Sequence, residues 1–110
     1  MKNRDFAEAC ALIRDATHPR LPIHSAIILM EIMDKHPNGV SNVELAELVG
    51  LTGASLSRQM DGLSDRGRRY NGSAFDLVRS ERDPDYRRVL SNTLSKKGER
   101  LFKQIQRIGT

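Results

Sequence analysis

The apolar residues in the first half of the chain recur at helical spacing. Phe6, Cys10 and Ile13 lie three or four positions apart, so the segment 3–17 is predicted to form an amphipathic helix. Apolar residues are denser in the segment 23–36, which is predicted to form a second helix with a wide buried face at the centre of the core. The two prolines of HPRLP separate these helices.

Two shorter helices follow, and each begins at a hydroxyl residue. Ser41 and Glu44 have the spacing of a capping box, in which the hydroxyl accepts the amide hydrogen of residue 44. The helix that it opens, NVELAELV, ends at Gly50, because glycine readily adopts the conformation that terminates a helix. Thr52 caps the next helix, which is predicted to continue to residue 67. The core residues predicted for this pair are Val43, Leu45, Ala46 and Val49 in the first helix, and Leu56, Met60 and Leu63 in the second.

The spacing of apolar residues changes in the last third of the chain. The stretches FDLVRS and RRVLSNTLS have the composition of strands, and the turn DPDY joins them into a hairpin predicted over 77–94. Ser95 then caps a last helix over 96–108. The apolar face of this helix holds Leu101, Phe102, Ile105 and Ile108.

The order of these elements defines a fold class. A chain of 110 residues is long enough for one domain, here 1–110. Two helices separated only by GLT make a helix-turn-helix over 41–66. A hairpin directly after the second helix is the wing of a winged helix-turn-helix. We therefore predict a mostly α structure with a small β-hairpin, of the α+β class.

Charge is distributed unevenly along this arrangement. Residues 1–57 carry five Lys and Arg against seven Asp and Glu, whereas residues 58–110 carry thirteen against seven. The net charge of +4 therefore comes from the second half of the chain. This asymmetry predicts a surface that meets an anionic partner.

The second helix of the pair carries side chains that suit the reading of bases. Ser55, Arg58, Gln59 and Gly62 lie opposite its apolar face on a helical wheel. Hydroxyl, guanidinium and amide groups of this kind contact base edges and phosphates in a major groove. The residues predicted to contact double-stranded DNA here are Thr52, Ser55, Ser57, Arg58 and Gln59.

Arginines are concentrated on the predicted wing and on the segment before it. Near the tip of a wing they can enter a minor groove, where the electrostatic potential is most negative. The alternative is that they are solvated charges on an exposed hairpin. The arginines predicted to contact DNA in this region are Arg68, Arg69, Arg79, Arg82, Arg87 and Arg88.

In this order the segments resemble the MarR family, the multiple-antibiotic-resistance-type transcriptional regulators. The matching pieces are LAELVGLT, SLSRQMDGLSDRG, DPDYRR and LSKKGERL, within roughly residues 22–105. The resemblance implies a dimeric, cytoplasmic DNA-binding repressor or activator, often relieved by a small anionic ligand.

Three features depart from the pattern of that family. Tyr86 stands where the family's wings usually carry an Asp before the paired arginines, so another Asp in the turn would have to orient Arg87 or Arg88. The segment RRYNGSAFD, 68–76, is longer than the family's link between recognition helix and wing. We expect no counterpart of the family's long final helix after 96–108. Dimerisation would then depend on the terminal helices 3–17 and 96–108.

The terminal helices, 3–17 and 96–108, are predicted to form a homodimer interface. An apolar stripe at the end of a small chain has little of its own core to cover, although core packing within one chain is the alternative. Cys10 is expected to be a small buried residue, because its sequence neighbours are apolar and a reactive thiolate needs a positive or hydrogen-bonding environment. The predicted interface residues are Phe6, Cys10, Ile13, Leu101, Phe102, Ile105 and Ile108.

Several classes of protein are disfavoured. The longest apolar run, AIILM, is far shorter than the roughly 20 residues of a membrane helix, and MKNRDFAEAC lacks the apolar core of a signal peptide, so a cytoplasmic protein is expected. A single cysteine cannot form an internal disulfide, and the three histidines lack metal-ligand spacing. No phosphate loop or nucleophile motif occurs, so we expect no enzyme, no cofactor and no metal.

Two functions stay open on the sequence. The first is a sequence-specific transcriptional regulator, a repressor by expectation, that binds double-stranded DNA as a homodimer and responds to a small-molecule effector. The second is a winged-helix adaptor that binds another protein and does not read DNA. Ser55, Arg58 and Gln59 favour the first, and salt-dependent binding to random duplex DNA would separate the two.

Overall fold

The computed structural model describes residues 2–64, 75–82 and 90–109. These residues form five helices and three strands, in the predicted α+β arrangement of a winged helix-turn-helix. None of the helices in this part of the chain is both long and apolar enough to cross a membrane. In chain order the elements are α1 (Asn3–Ala16), α2 (Ile23–Lys35), β1 (Val40–Ser41), α3 (Asn42–Val49), α4 (Gly53–Leu63), β2 (Val78–Arg82), β3 (Leu90–Leu94) and α5 (Lys96–Gln106).

The three strands form one antiparallel sheet in the order β1-β3-β2. Strands β2 and β3 are the hairpin that the sequence predicted as a wing. Strand β1 was not predicted, because two residues are too few to show an alternating pattern. It pairs with β3 at Val40 and Asn92, so it connects the start of the helix-turn-helix to the wing.

Helix α2 lies at the centre of the core, as predicted. Ile28, Leu29 and Ile32 have no exposed surface, and α2 contacts α3, α4 and β3. The buried face is narrower than expected, since Ile23 is 73% exposed and Ile27 is 39% exposed. The first turns of α2 therefore present apolar side chains to the surface.

The predicted helix caps are present. In each case a hydroxyl oxygen accepts an amide hydrogen from the first turn of its helix, which satisfies a group that the helix itself leaves unpaired. The donor–acceptor distances are 3.1 Å from Glu44 N to Ser41 Oγ, 3.2 Å from Ser55 N to Thr52 Oγ1, and 3.0 Å from Gly98 N to Ser95 Oγ.

Helix α4 ends at Leu63, four residues before the predicted end. The chain at Phe75 and Leu77 returns to this point: Phe75 N donates to Gly62 O at 3.2 Å, and Leu77 N donates to Leu63 O at 2.8 Å. Gly62 was expected on the outward face and is buried, because the returning segment packs against its carbonyl group. Hydrogen bonds to a distant segment thus end the helix earlier than its local sequence indicates.

Two further residues predicted in the core are exposed. Cys10 is exposed because the buried side of α1 runs through Ala9 and Ile13, and Cys10 lies about 100° around the helix from Ala9. Val43 is 66% exposed, whereas Leu45 in the same helix is fully buried. Both core assignments are wrong, since neighbouring helices cover a different side of α1 and of α3.

Candidate nucleic-acid interface

The helix-turn-helix is formed by α3, α4 and the three residues between them. Gly50 has φ of 77°, in the left-handed region that favours glycine, and so ends α3. The amide groups of Gly50 and Leu51 both donate to Ala46 O, at 2.9 and 3.0 Å. Leu45 and Leu56 are fully buried in the shared core and anchor the two helices beside α2. The turn therefore gives α4 a defined direction on the surface.

Helix α4 presents polar side chains on the side away from the core. Ser57 and Arg58 are exposed and Ser55 is half-buried, while Leu56 and Met60 are buried on the other side. The exposed Thr52 lies at the start of the helix. No ion pair joins Arg58 to another residue in the described part of the chain. A guanidinium carries five N–H donors, and the exposed position of Arg58 makes this group accessible to an external acceptor.

Gln59 is engaged within the protein. The side chain was predicted to point outward with Arg58, but it is half-buried, and its Oε1 accepts a hydrogen bond from the Ser25 hydroxyl. Ser25 is buried in the first turn of α2, so this bond satisfies an interior polar group and joins α4 to α2. A contact between Gln59 and DNA stays a prediction. The Oε1 atom that would accept a hydrogen bond from a base already has Ser25 as its partner.

The wing strand β2 carries two exposed arginines, Arg79 and Arg82. Successive side chains of a strand point to opposite faces, so these two arginines lie on opposite faces of the hairpin. Arg79 stands opposite Thr93, whereas Arg82 stands opposite Leu90, in the last described pair before the tip. Of the two arginines, Arg82 is thus nearer the tip of the hairpin.

Several predicted contacts lie outside the described residues. The orienting role considered for the Asp residues of the DPDY turn falls in this part of the chain and stays a prediction. The extra length of the segment 68–76 also lies mostly there. The predicted DNA contacts concerned are Arg68, Arg69, Arg87 and Arg88, and they stay predictions.

The terminal helices α1 and α5 pack against each other within one chain. Ile13 and Leu101, which were predicted at a dimer interface, are only 2% and 4% exposed and belong to the core of the chain itself. Their assignment to the interface is therefore corrected, because the packing of α1 and α5 already covers them. Of the other predicted interface residues, Phe6 and Cys10 are exposed, and Phe102, Ile105 and Ile108 are half-buried.

An open groove of about 440 Å³ lies between α1, α2 and α5. The rings of His36 and Phe102 meet edge to face on its wall, with centroids 6.0 Å apart. Nε2 of His36 lies 3.9 Å from Glu99 Oε1. The other residues along the groove are mainly apolar and include Phe6, Ala9, Met30, Met33 and Ile105.

Comparison with known proteins gives matches at the level of structure. No family model matches the sequence, and no curated protein matches it. A MarR transcription factor from Planctomyces limnophilus is 24% identical with a TM-score of 0.60, over 94% of this chain and 68% of that one. The PcaV transcriptional regulator from Streptomyces coelicolor, solved with its natural ligand, is 20% identical with a TM-score of 0.61, over 96% and 67%. ZitR from Lactococcus lactis is 19% identical with a TM-score of 0.60, over 82% and 53%.

These matches define the class of fold. The chain has a MarR-like winged-helix fold, which is the fold that the resemblance of its sequence implied. It spans between 53% and 68% of the length of the three proteins named above.

Two buried polar residues near this surface were not predicted from the sequence. Ser25 lies in α2 and bonds to Gln59, and Asn92 lies in the middle strand of the sheet with no exposed surface. Asn92 is two positions from the buried Leu94, so the alternation of the strand does indicate an inward-facing polar side chain. For Ser25, the only comparable signal is a hydroxyl directly before the apolar run AIILM.

Proposed function

We propose that this chain binds double-stranded DNA at specific sequences and regulates transcription, as a repressor. Helix α4 would lie in the major groove, and the β2–β3 hairpin would reach the adjacent minor groove. The observation that carries the proposal is the exposed polar face of α4, with Ser57 and Arg58, together with the exposed arginines of the β2–β3 hairpin. The MarR-like fold supports the same function.

The chemistry of this face suits base reading. A guanidinium can donate two hydrogen bonds to the O6 and N7 acceptors of guanine, and a serine hydroxyl can donate to or accept from several bases. Arg58 and Ser57 are neighbours on α4, so both would reach the same short stretch of a groove. The wing arginines would bind phosphates, which strengthens binding without selecting a sequence.

Selection of bound sequences from a random duplex pool tests the proposal. We expect one motif to be enriched, arranged as an inverted repeat if two chains bind together. Salt-dependent binding without an enriched motif would reject sequence-specific regulation. A protein that binds no duplex at any salt concentration would reject DNA binding altogether and leave the adaptor function.

The wing gives a first prediction. Replacing Arg82 with Ala is expected to weaken binding to the selected site and to random duplex alike, because the side chain would act through phosphates. The slope of log affinity against log salt should fall by about 0.9 for each phosphate that a subunit no longer neutralises. Arg79→Ala, on the opposite face of β2 and farther from the tip, is the matched comparison and is expected to have the smaller effect. An unchanged salt slope in both variants would show that the wing arginines are solvated surface charges that do not contact DNA.

We further propose that two copies of the chain associate through α1 and α5. Phe6 is 54% exposed and lies on the apolar groove between these helices and α2, where a second copy would cover it. Two-fold symmetric dimers are also the commonest arrangement of proteins that read inverted repeats.

The dimer gives a second prediction. Replacing Phe6 with Glu should convert a dimer into a monomer, because the dimer interface would then bury a carboxylate. The fold of one chain should be kept, since the exposed ring of Phe6 contributes little to it. Sedimentation velocity at tens of micromolar, roughly the range in which weak dimers form, is the measurement. Val43→Glu replaces a similarly exposed apolar residue on α3 and should remain dimeric. A wild-type protein that sediments as a monomer would contradict the proposal.

A small-molecule effector completes the proposed function. The groove has about 440 Å³ and a largely apolar lining, which is within the size range of small-ligand sites. The similar PcaV regulator was solved with its natural ligand. Release of the selected duplex by members of a library of small carboxylic acids would test this part of the proposal, and no release by any compound would oppose it.

A further inference from the structure

One buried side chain connects the wing to the start of the helix-turn-helix. Asn92 has no exposed surface and lies in β3, the middle strand, directly opposite Val40 of β1 and Ser80 of β2. Its amide nitrogen donates to Val40 O at 3.0 Å and to Asn42 Oδ1 at 2.7 Å. Its Oδ1 accepts from the Ser80 hydroxyl at 2.6 Å. A single amide group thus bonds to both neighbouring strands and to the first residue of α3.

The orientation of this amide is determined by its partners. Val40 O is a backbone carbonyl oxygen, which can only accept, so the nitrogen of Asn92 must face it. Both amide hydrogens then have acceptors, and the oxygen faces the Ser80 hydroxyl. A buried polar network whose members are all satisfied specifies one arrangement of the elements that it joins, because any other arrangement leaves a polar group unpaired.

The backbone attachment between the wing and the start of the helix-turn-helix is small. Strand β1 contributes only two residue pairs to the sheet, Val40 with Asn92 and Ser41 with Ser91. The helix-turn-helix begins at this strand, while Ser80 belongs to the same strand as the wing residues Arg79 and Arg82. The Asn92 side chain therefore adds two hydrogen bonds to those that set the wing relative to β1 and α3. The backbone bonds from Phe75 and Leu77 connect the base of the wing to the end of α4.

We propose that Asn92 is a positioning residue that holds the wing at the angle required for the wing and α4 to contact the same duplex. The inference rests on the proposed DNA-binding function. A binding surface made of two elements has to be held to within about half an ångström by the residues behind it. An apolar residue at position 92 would fill the space without determining that angle.

Two variants test this role, with a control on the same sheet. Asn92→Leu keeps the branched shape of the side chain and removes all three hydrogen bonds, whereas Asn42→Ala removes only the bond from Asn92 to α3. Thr93→Ala is the control, because Thr93 is half-buried in the same strand and points to the opposite face. Fluorescence anisotropy at several salt concentrations gives the affinity for the selected duplex and its salt slope. Each variant is also combined with Arg82→Ala.

If Asn92 positions the wing, Asn92→Leu and Asn42→Ala should each lower affinity about tenfold and lower the salt slope by about 0.9 for each phosphate that the wing no longer reaches. Arg82→Ala should then add little to either variant, because its guanidinium would already be out of reach of the duplex. The control should bind as the wild type does. If Asn92→Leu does not fold, Asn42→Ala still gives the result.

Other outcomes reject the inference in distinguishable ways. Variants that unfold at lower urea concentration, yet keep the wild-type salt slope and the full effect of Arg82→Ala, would make Asn92 a residue of stability only. A wild-type protein that binds no duplex would reject the proposed function and this inference with it. A wild type that binds, with unchanged affinity and slope in both variants, would reject the inference alone.

Discussion

Replacing Gly98 with Ala is expected to lower the free energy of unfolding by about 3 kcal/mol. Gly98 is buried in the first turn of α5, and an added Cβ would overlap the carbonyl oxygen of Leu77. That oxygen cannot move freely, because it accepts the amide hydrogen of Ser95 at 3.0 Å and the amide of Leu77 itself donates to Leu63 O at 2.8 Å. The methyl group would therefore have to displace backbone that is hydrogen-bonded on both sides.

Urea denaturation followed by circular dichroism measures this change, with Gly53→Ala as the matched control. Gly53 begins α4, and an added Cβ there meets no atom within 4 Å. The control should be neutral or more stable by up to about 1 kcal/mol, since alanine has the higher helix propensity. A decrease of less than about 0.5 kcal/mol in Gly98→Ala would show that α5 can shift at the base of the wing.

The close packing at Gly98 also helps to hold the base of the wing. It brings the start of α5 against Leu77, immediately before the wing strand β2. On the other side, Asn92 of the wing strand β3 bonds to Val40 of β1. The base of the hairpin is thus held from two directions, while Arg79 and Arg82 are exposed.

The starts of the helices could be predicted from the sequence because their causes are local. The hydroxyl of Thr52 and the amide that it caps lie three residues apart, as do those of Ser95 and Gly98. Gly50 marks the end of α3 for a similar reason, since its left-handed conformation depends on the residue itself. The helix-turn-helix follows from these signals, and so does the order of its elements.

The choice of buried face was predictable only where one side of a helix is clearly the most apolar. In α4 the three predicted core residues are all buried. In α1 the candidates Cys10 and Ala9 are both small and apolar, and the packing of α5 against α1 decides which is covered. That decision depends on residues almost ninety positions away, about which helical periodicity carries no information.

The polar contacts behind the candidate interface were not predictable for the same reason. Asn92 bonds to a residue 52 positions away, and Ser25 bonds to one 34 positions away. The outward position of Arg58 depends only on the apolar face of its own helix, and the structure has that side chain exposed. Gln59 is the counterexample, because a neighbouring helix supplies the partner that holds it.

Replacing Arg58 with Ala is expected to lower affinity for the selected duplex by about 1–3 kcal/mol, which is roughly a 5-fold to 150-fold decrease. The side chain is exposed and has no ion pair within the described residues, so folding should be unaffected. A guanidinium that reads a base edge selects sequence, so the preference at one position of each half-site should also relax. This separates Arg58 from Arg82, whose removal should weaken binding to all duplexes alike.

Repeating the selection from a random duplex pool with the variant measures both effects. Arg20→Ala is the matched control, because it removes the same charge from an exposed position between α1 and α2 and should leave the enriched motif unchanged. The unfolding midpoint in urea is recorded for both variants, and both should unfold as the wild type does. If Arg58→Ala enriches the wild-type motif with wild-type affinity, Arg58 does not read a base. If the Arg58→Ala variant instead unfolds at a lower urea concentration than the wild type, Arg58 supports the fold. Another side chain on the exposed face of α4 would then have to contact the bases.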